Sequence, residues 1–112
     1  MKIYLTSQTP RTVIKLVEKF GHEIAYKASG SDALIAFVTD QSMIAFTDIN
    51  LYLTNAFLRE IESHVLVLHD ERLPLGHQLK QLIADNDGLI IEVAYVDEDE
   101  LLDNTAFFLE TL

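Results

Sequence analysis

Hydrophobic positions along the chain change between two spacings, and this rhythm predicts strands separated by helices. Short apolar or alternating runs, typical of strands, lie at 2–6, 23–28, 33–38, 65–68 and 89–96. Elsewhere apolar residues recur three and four positions apart, which is the spacing of one helix face. The run at 33–38 has no polar residue, which predicts a strand buried on both faces.

Capping residues indicate where the helices begin and end. The predicted helix starts, in chain order, are Thr9 with Pro10, Thr47 or Asp48, Pro74, and Asp97. Gly21 is predicted to end the first helix, because glycine tolerates the left-handed backbone found there. The apolar run at 43–46 fits a short strand or a loop equally well.

The order of these elements predicts an α/β fold of three layers. We expect a mostly parallel sheet of about five strands with helices on both faces. The link between the second and third strands is too short for a crossover helix, so one antiparallel strand is allowed between Glu23 and Phe46. A length of 112 residues fits one domain, residues 1–112.

Composition narrows the chemistry that the chain can support. The chain has no cysteine, which excludes disulfides, thiolate metal sites and cysteine nucleophiles. The sequence carries no Gly-x-Ser-x-Gly arrangement for a serine hydrolase. Neither a signal peptide nor an apolar run of bilayer length is apparent, and we expect a cytoplasmic protein without membrane contact.

Charge is distributed unevenly, with a net charge of −10. Residues 1–80 hold nine of the 18 acidic residues and all eight Lys and Arg, whereas residues 81–112 hold nine acidic residues and no Lys or Arg. Such a field repels a phosphate backbone, so direct nucleic-acid binding is not expected. The acidic third is either a solvated face or a docking surface for a basic partner.

Polar segments follow three of the predicted strands, at 6–9, 39–42 and 69–72. Because the carboxyl ends of parallel strands share one edge, we expect these segments to share one rim. The candidate ligand-binding residues there are Thr6, Ser7, Gln8, Thr9, Asp40, His69, Asp70 and Arg72. The hydroxyls and amides at 6–9 fit an anion site or simple helix capping.

The residue types at this rim include those used for acid–base chemistry and for metal binding. His69 beside Asp70 fits an acid–base pair, although neighbouring residues of an extended segment point in opposite directions. Asp40, His69, Asp70 and His77 are metal-ligating types, but no spacing brings them together. We therefore expect no metal and no cofactor, and no catalytic residue is assigned from these patterns.

Three stretches resemble the nucleoside 2-deoxyribosyltransferase family. Residues 1–7 (MKIYLTS) resemble its opening strand, and residues 31–39 (SDALIAFVT), followed by Asp40, resemble its buried strand and the carboxylate after it. Residues 46–52 (FTDINLY) lie where the family has Gly-Thr-x-x-Glu at a helix start. The resemblance implies that Asp40 orients substrate and that Asp48 is a further candidate ligand-binding residue.

The same stretch departs from the family at two positions. Asn50 occupies the place of the nucleophilic Glu, and an amide cannot form the glycosyl ester that a carboxylate forms. Phe46 occupies the place of the Gly. The resemblance therefore implies a shared architecture more than a shared reaction.

Three functions are compatible with these observations. The favoured hypothesis is a small acidic binding or regulatory domain, non-catalytic, that acts through protein–protein contacts with a protein partner or a second copy of itself. The alternative is an enzyme that processes a nucleoside or nucleotide at the polar rim. A third hypothesis, motivated by acidity alone, is a nucleic-acid mimic that fills a basic groove.

Overall fold

The computed structural model describes residues 1–40, 42–60, 62 and 64–112, which form five strands and four α-helices. The strands are Lys2–Leu5 (β1), Glu23–Ala25 (β2), Ala33–Val38 (β3), Val65–Asp70 (β4) and Ile90–Tyr95 (β5). The helices are Arg11–Lys19 (α1), Ser42–Leu58 (α2), His77–Asp85 (α3) and Glu98–Thr111 (α4). One turn of 3-10 helix, Ala28–Gly30, lies between β2 and β3.

The five strands form one parallel sheet in the order β2-β1-β3-β4-β5. The antiparallel strand allowed between Glu23 and Phe46 is therefore wrong, because β1 lies between β2 and β3. A crossover from β2 to β3 covers about 10 Å sideways and about 10 Å back along the three-residue β2. Residues 26–32 reach up to about 23 Å when extended, so this crossover needs no full helix.

Two groups of buried side chains form the core, and β3 contributes alternate residues to both. One group contains Leu34, Ala36, Val65 and Val67 with Ala45, Ile49 and Tyr52 of α2 and Leu79 of α3. The other contains Ile3, Ala33, Ile35, Leu66 and Leu68 with Val13 and Val17 of α1 and Leu101, Phe108 and Leu109 of α4. The prediction that residues 33–38 are buried on both faces is confirmed, because neighbouring strand residues point to opposite faces.

Two predicted helix ends are confirmed by their hydrogen bonds. Gly21 adopts a left-handed φ of 85° after α1, and its amide donates to the Glu18 carbonyl at 2.9 Å while His22 N donates to Val17 O at 3.3 Å. This pair of bonds is the Schellman arrangement. At α4, the Asp97 carboxylate accepts a hydrogen bond from Glu100 N at 2.9 Å.

Helix α2 begins earlier than the capping residues predicted. Residues 43–46 lie inside it, so neither a strand nor a loop forms there, and Thr47 and Asp48 are not its cap. The Thr47 hydroxyl instead donates to the Met43 carbonyl within the helix, at 3.0 Å. Buried Ala45 continues the stripe of Ile49, Tyr52 and Ala56 back by one turn, which an all-apolar run concealed. Ile61 continues the same apolar spacing in the sequence and lies outside the described residues.

Tyr52 ties α2 to two connecting segments. Its side chain is 1% exposed, and its hydroxyl donates to the Asp32 carbonyl at 2.9 Å and accepts from His64 N at 3.1 Å. Asp32 precedes β3 and His64 precedes β4, so one buried hydroxyl satisfies backbone groups at both strand starts.

No helix among the described residues combines the length and the apolar character needed to cross a bilayer.

Candidate functional site

The winding direction of the sheet reverses between β1 and β3. The chain leaves β1 towards β2 on one side, whereas β4 and β5 follow β3 on the other. In open parallel sheets, ligands bind in the crevice beyond the carboxyl ends of the strands at such a reversal. The segments after β1 and β3 border this crevice, and the segment after β4 lies on the same edge.

The side chain of Thr6 makes hydrogen bonds within the sheet. It is buried, and its hydroxyl accepts from Phe37 N at 2.9 Å and donates to Phe37 O at 3.4 Å. Its own amide donates to Ile35 O at 3.3 Å. The side chain therefore joins β1 to β3 at the point where the backbone ladder ends, and its predicted role in ligand binding stays a prediction.

The turn after Thr6 is closed by Thr9. Its hydroxyl donates to the Thr6 carbonyl at 2.6 Å, and its amide donates to the same oxygen at 3.3 Å. Thr9 is thus not the cap of α1, because Pro10 occupies the cap position without a side-chain bond. Ser7 and Gln8 are exposed, and Gln8 holds a left-handed φ of 67°. This backbone conformation costs an ordinary residue free energy, so the turn presents both side chains from a constrained backbone.

Asp48 on α2 pairs with Tyr4 on β1, one of the two strands between which the winding reverses. The Tyr4 hydroxyl, on β1, donates to Oδ2 of Asp48, on α2, at 3.3 Å, and both side chains are partly buried. Burial raises the pKa of Asp48, and the hydrogen bond from Tyr4 lowers it in part. Burial raises the pKa of Tyr4 also, and the neighbouring charge of Asp48 adds to this rise. A carboxylate held partly out of water beside a hydroxyl is a common arrangement for a catalytic group.

Asp70 and Arg72 form a two-pronged ion pair at the end of β4. Arg72 Nε donates to Asp70 Oδ1 at 3.0 Å, Arg72 Nη2 donates to Oδ2 at 2.8 Å, and the Arg72 amide donates to Oδ1 at 2.9 Å. These hydrogen bonds lower the pKa of Asp70 to about 2. The pair therefore stays charged at neutral pH, with the guanidinium on the solvent side.

A cleft of about 350 Å³ lies beside this ion pair. Its lining residues are Phe37, Val38, Thr39, Asp70, Arg72, Leu73 and Tyr95. The rings of Phe37 and Tyr95 stack with centroids 6.0 Å apart and planes inclined by 16°. The cleft opens widely to solvent and combines a mainly apolar lining with one ion pair.

His69 lies in β4 and does not belong to a loop. Strand β4 runs to Asp70, two residues beyond the predicted end, and His69 is 8% exposed. Its Nε2 lies 2.9 Å from Oε1 of Glu92 on β5, so its carboxylate partner is Glu92. Since neighbouring strand residues point to opposite faces, His69 and Asp70 contribute to different surroundings.

The remaining candidates lie apart from these pairs. Asp40 is exposed after β3, Asn50 is exposed on the outer side of α2, and Gln41 lies outside the described residues. Among the residues that the structure describes, no three or more His, Asp or Glu side chains are placed to hold a metal ion. The hypothetical set of Asp40, His69, Asp70 and His77 is accordingly not brought together.

Sequence reasoning missed the partners that define these groups. Tyr4 lies in the predicted strand 2–6, and Glu92 and Tyr95 lie in the predicted strand 89–96, without a predicted role in a site. Tyr4, Glu92 and Tyr95 each contact a residue more than 20 positions away along the chain. The Asp70–Arg72 pair, in contrast, is local in sequence. The usable signal was the parallel sheet itself, which places Glu92 opposite Val67, on the same face as His69.

The chain matches no known protein-family profile, and no curated protein matches it by sequence. Among solved structures it is similar to that of Clostridium botulinum CMP N-glycosidase, BcmB. The likeness has a TM-score of 0.68 at 16% identity and covers 93% of this chain and 97% of the other. It supports the related fold that the family resemblance implied, and the assignment of Asn50 to the family's catalytic position stays a prediction.

This likeness contradicts the prediction of a non-catalytic binding or regulatory module. The structural neighbour is by name an N-glycosidase of CMP, which favours the alternative, an enzyme that processes a nucleoside or nucleotide. Four of the nine acids in the acidic third that motivated the module have a structural explanation as well. Asp97 caps α4, and three further acids stand in its first turn, where the positive end of the helix dipole stabilises them.

Proposed function

We propose that the chain is an enzyme that cleaves the N-glycosidic bond of a nucleoside or nucleotide, with the Asp48 carboxylate acting on the sugar. The likeness to a CMP N-glycosidase over 93% of the chain supports the reaction class. The observation that carries the assignment of Asp48 is its pairing with Tyr4 beside the reversal of the sheet, partly buried and with a raised pKa.

Cleavage of this bond requires negative charge near the sugar. The bond between C1′ and the base nitrogen breaks, its electron pair leaves with the base, and positive charge develops on C1′ and the ring oxygen. A fixed carboxylate facing C1′ stabilises that charge. Water then supplies the hydroxyl for C1′ and the proton for the base nitrogen. In this proposal Asp48 is the carboxylate and Tyr4 holds it in position.

Exposed polar groups along the same edge are proposed to contact the rest of the substrate. Ser7, Gln8 and Asp40 follow β1 and β3, and the Asp70–Arg72 pair follows them along the rim. Arg72 binds Asp70 through Nε and Nη2, which leaves Nη1 facing outward for a polar or anionic group. We further infer one three-layer domain over residues 1–112, with α2 and α3 on one face of the sheet and α1 and α4 on the other.

A direct assay tests the reaction class. The purified chain is incubated with CMP and with a panel of nucleosides and nucleoside 5′-monophosphates, and the products are separated by liquid chromatography. We expect release of the free base together with the sugar or sugar phosphate in equal amounts. If every substrate in the panel stays intact at high enzyme concentration, cleavage of the N-glycosidic bond is excluded as the activity.

Replacement of Tyr4 by phenylalanine should move the acid limb of the pH–rate profile. Asp48 acts as the ionised carboxylate, so activity is lost as the pH falls through its raised pKa. The hydrogen bond from Tyr4 lowers that pKa, and its removal raises the pKa further. We therefore expect the acid limb of Tyr4→Phe at higher pH than that of the wild type, with less effect at alkaline pH.

Tyr26→Phe is the matched control, because the Tyr26 side chain is 99% exposed. Its profile should superimpose on that of the wild type. An acid limb that stays in place or moves to lower pH in Tyr4→Phe would show that Tyr4 does not tune the catalytic group.

A further inference from the structure

Two residues other than glycine hold a left-handed backbone among the described residues: Gln8, with a φ of 67°, and Glu60, with a φ of 55°. Glu60 follows the end of α2, and its amide donates to the Phe57 carbonyl at 3.1 Å. A left-handed residue is common at such a helix end. Gln8 ends no helix, because it lies in the turn between β1 and α1. Its conformation therefore needs another explanation.

The turn at residues 6–9 has the features of a type II β-turn. The Thr9 amide donates to the Thr6 carbonyl at 3.3 Å, and φ is positive at the third residue, Gln8, but not at the second, Ser7. This turn type favours glycine at its third position, because a left-handed backbone crowds any side chain. Glycine would form the same turn at lower cost, so the turn alone gives no reason for glutamine there.

Hydrogen bonds on both sides hold this turn in place. The Thr9 hydroxyl donates to the Thr6 carbonyl at 2.6 Å, and the Thr6 hydroxyl accepts from Phe37 N at 2.9 Å. Strained residues that their surroundings hold in this way cluster at active sites and ligand-binding sites. The Gln8 side chain is exposed, and its amide has no hydrogen-bond partner within the part of the chain that the structure describes. The amide is therefore free to bind a ligand.

The amide of Gln8 offers one donor and one acceptor side by side in a plane. Gln8 follows β1 at the crevice, and Thr6 lies about 7 Å along the chain from Tyr4, whose hydroxyl binds Asp48. In a nucleoside whose sugar faces Asp48, the base is the part with a matching planar pair of donor and acceptor. On the basis of the proposed function, we infer that Gln8 is a specificity-determining residue that pairs with the polar edge of the base.

This pairing predicts how a change of the side chain alters the preference for bases. A carboxylate accepts hydrogen bonds at both oxygens and donates none. Guanine offers two adjacent donors, N1–H and the 2-amino group, and can meet both oxygens. On cytosine, adenine and uracil each donor has an acceptor beside it, which a second carboxylate oxygen repels. The isosteric change Gln8→Glu should therefore shift the preference towards guanine.

Competition between substrates tests this inference. Wild-type chain and Gln8→Glu are each given an equimolar mixture of cytidine, uridine, adenosine and guanosine, and in parallel the four 5′-monophosphates. Initial release of each base, followed by liquid chromatography, reports the ratios of kcat/KM. We expect the release of guanine relative to the other bases to rise at least about tenfold in Gln8→Glu. Gln8→Met keeps the length without the amide and should lower the release of all four bases.

Two further variants separate the amide from the backbone. Gln8→Gly suits the left-handed turn, so it should unfold at the same or a higher urea concentration than wild type while its base release falls as in Gln8→Met. Gln78→Glu is the matched control, because Gln78 is an exposed amide on α3. Its preference among the bases should equal that of the wild type.

The outcomes distinguish this inference from the proposed function. Base release by the wild type with an unchanged preference in Gln8→Glu overturns the role of Gln8 and leaves the proposed function standing. If the wild type releases no base, calorimetric titration with the four nucleosides replaces the assay. The same shift towards guanosine in affinity would support the role of Gln8 without catalysis. No binding of any nucleoside would overturn both.

Discussion

Asp48→Asn is expected to reduce base release by about 10² to 10³-fold under saturating substrate, because it removes the charge that opposes the cation forming on the sugar. The amide keeps the size of the side chain and can still accept the hydrogen bond from Tyr4. The loss should therefore appear in kcat more than in KM, as for an interaction made mainly in the transition state. Single-turnover measurements of base release provide the check.

The same variant should not lose stability. Burial raises the pKa of Asp48, so the folded chain binds this proton more tightly than the unfolded chain does. The stability of the fold then falls as the pH rises from the unfolded pKa through the folded pKa, and that cost is fully present at neutral pH. Asn carries no charge, and Asp48→Asn should unfold at the same or a higher urea concentration than wild type at pH 7.

Asp103→Asn is the matched control, because Asp103 is an exposed acid on α4, away from the proposed site. It makes the same change in net charge and should keep wild-type activity. Full activity in Asp48→Asn would remove Asp48 from the mechanism. The direct assay of base release by the wild-type chain would still decide whether the chain cleaves the N-glycosidic bond.

Tyr52→Ala is expected to destabilise the fold by about 3–5 kcal/mol, the range for loss of a large buried ring. Tyr52 is 1% exposed, and its ring packs in the core group that includes α2 and β3. Tyr52→Phe keeps the ring but leaves the Asp32 carbonyl and the His64 amide without the hydroxyl. That change should cost about 1–3 kcal/mol. Urea unfolding followed by circular dichroism measures both values.

Asn50→Ala, on the exposed side of the same helix, should change the unfolding free energy by less than about 0.5 kcal/mol. A Tyr52→Phe variant as stable as wild type would mean that water replaces the hydroxyl at both backbone groups. The tie between α2 and the two strand starts would then contribute only through the packing of the ring.

The polar rim predicted from the sequence forms, but two of its candidate ligand-binding residues make side-chain hydrogen bonds within the sheet. The polar segments after β1, β3 and β4 do share one edge of the parallel sheet. Within them, however, Thr6 bonds to the backbone of β3, and His69 pairs with Glu92 beneath the rim. The clearest catalytic candidate comes from α2 instead, since Asp48 faces β1 and not a loop.

Interactions between residues close in sequence determine most of the strands, helices and helix ends of this protein. The alternation of strands and helices, the burial of 33–38, the left-handed stop at Gly21 and the cap at Asp97 all depend on residues within a few positions of each other. Periodicity and capping carry such information, because they act between neighbours along the chain.

Tertiary structure decided the strand order and the pairs that carry the proposed chemistry. β1 lies between β2 and β3, so β2 is parallel, although the link alone suggested otherwise. Tyr4 meets Asp48 across 44 positions, and His69 meets Glu92 across 23. These contacts arise when distant elements pack together. No local spacing encodes them, because a helix or strand shows which face is apolar but not which residue will lie opposite.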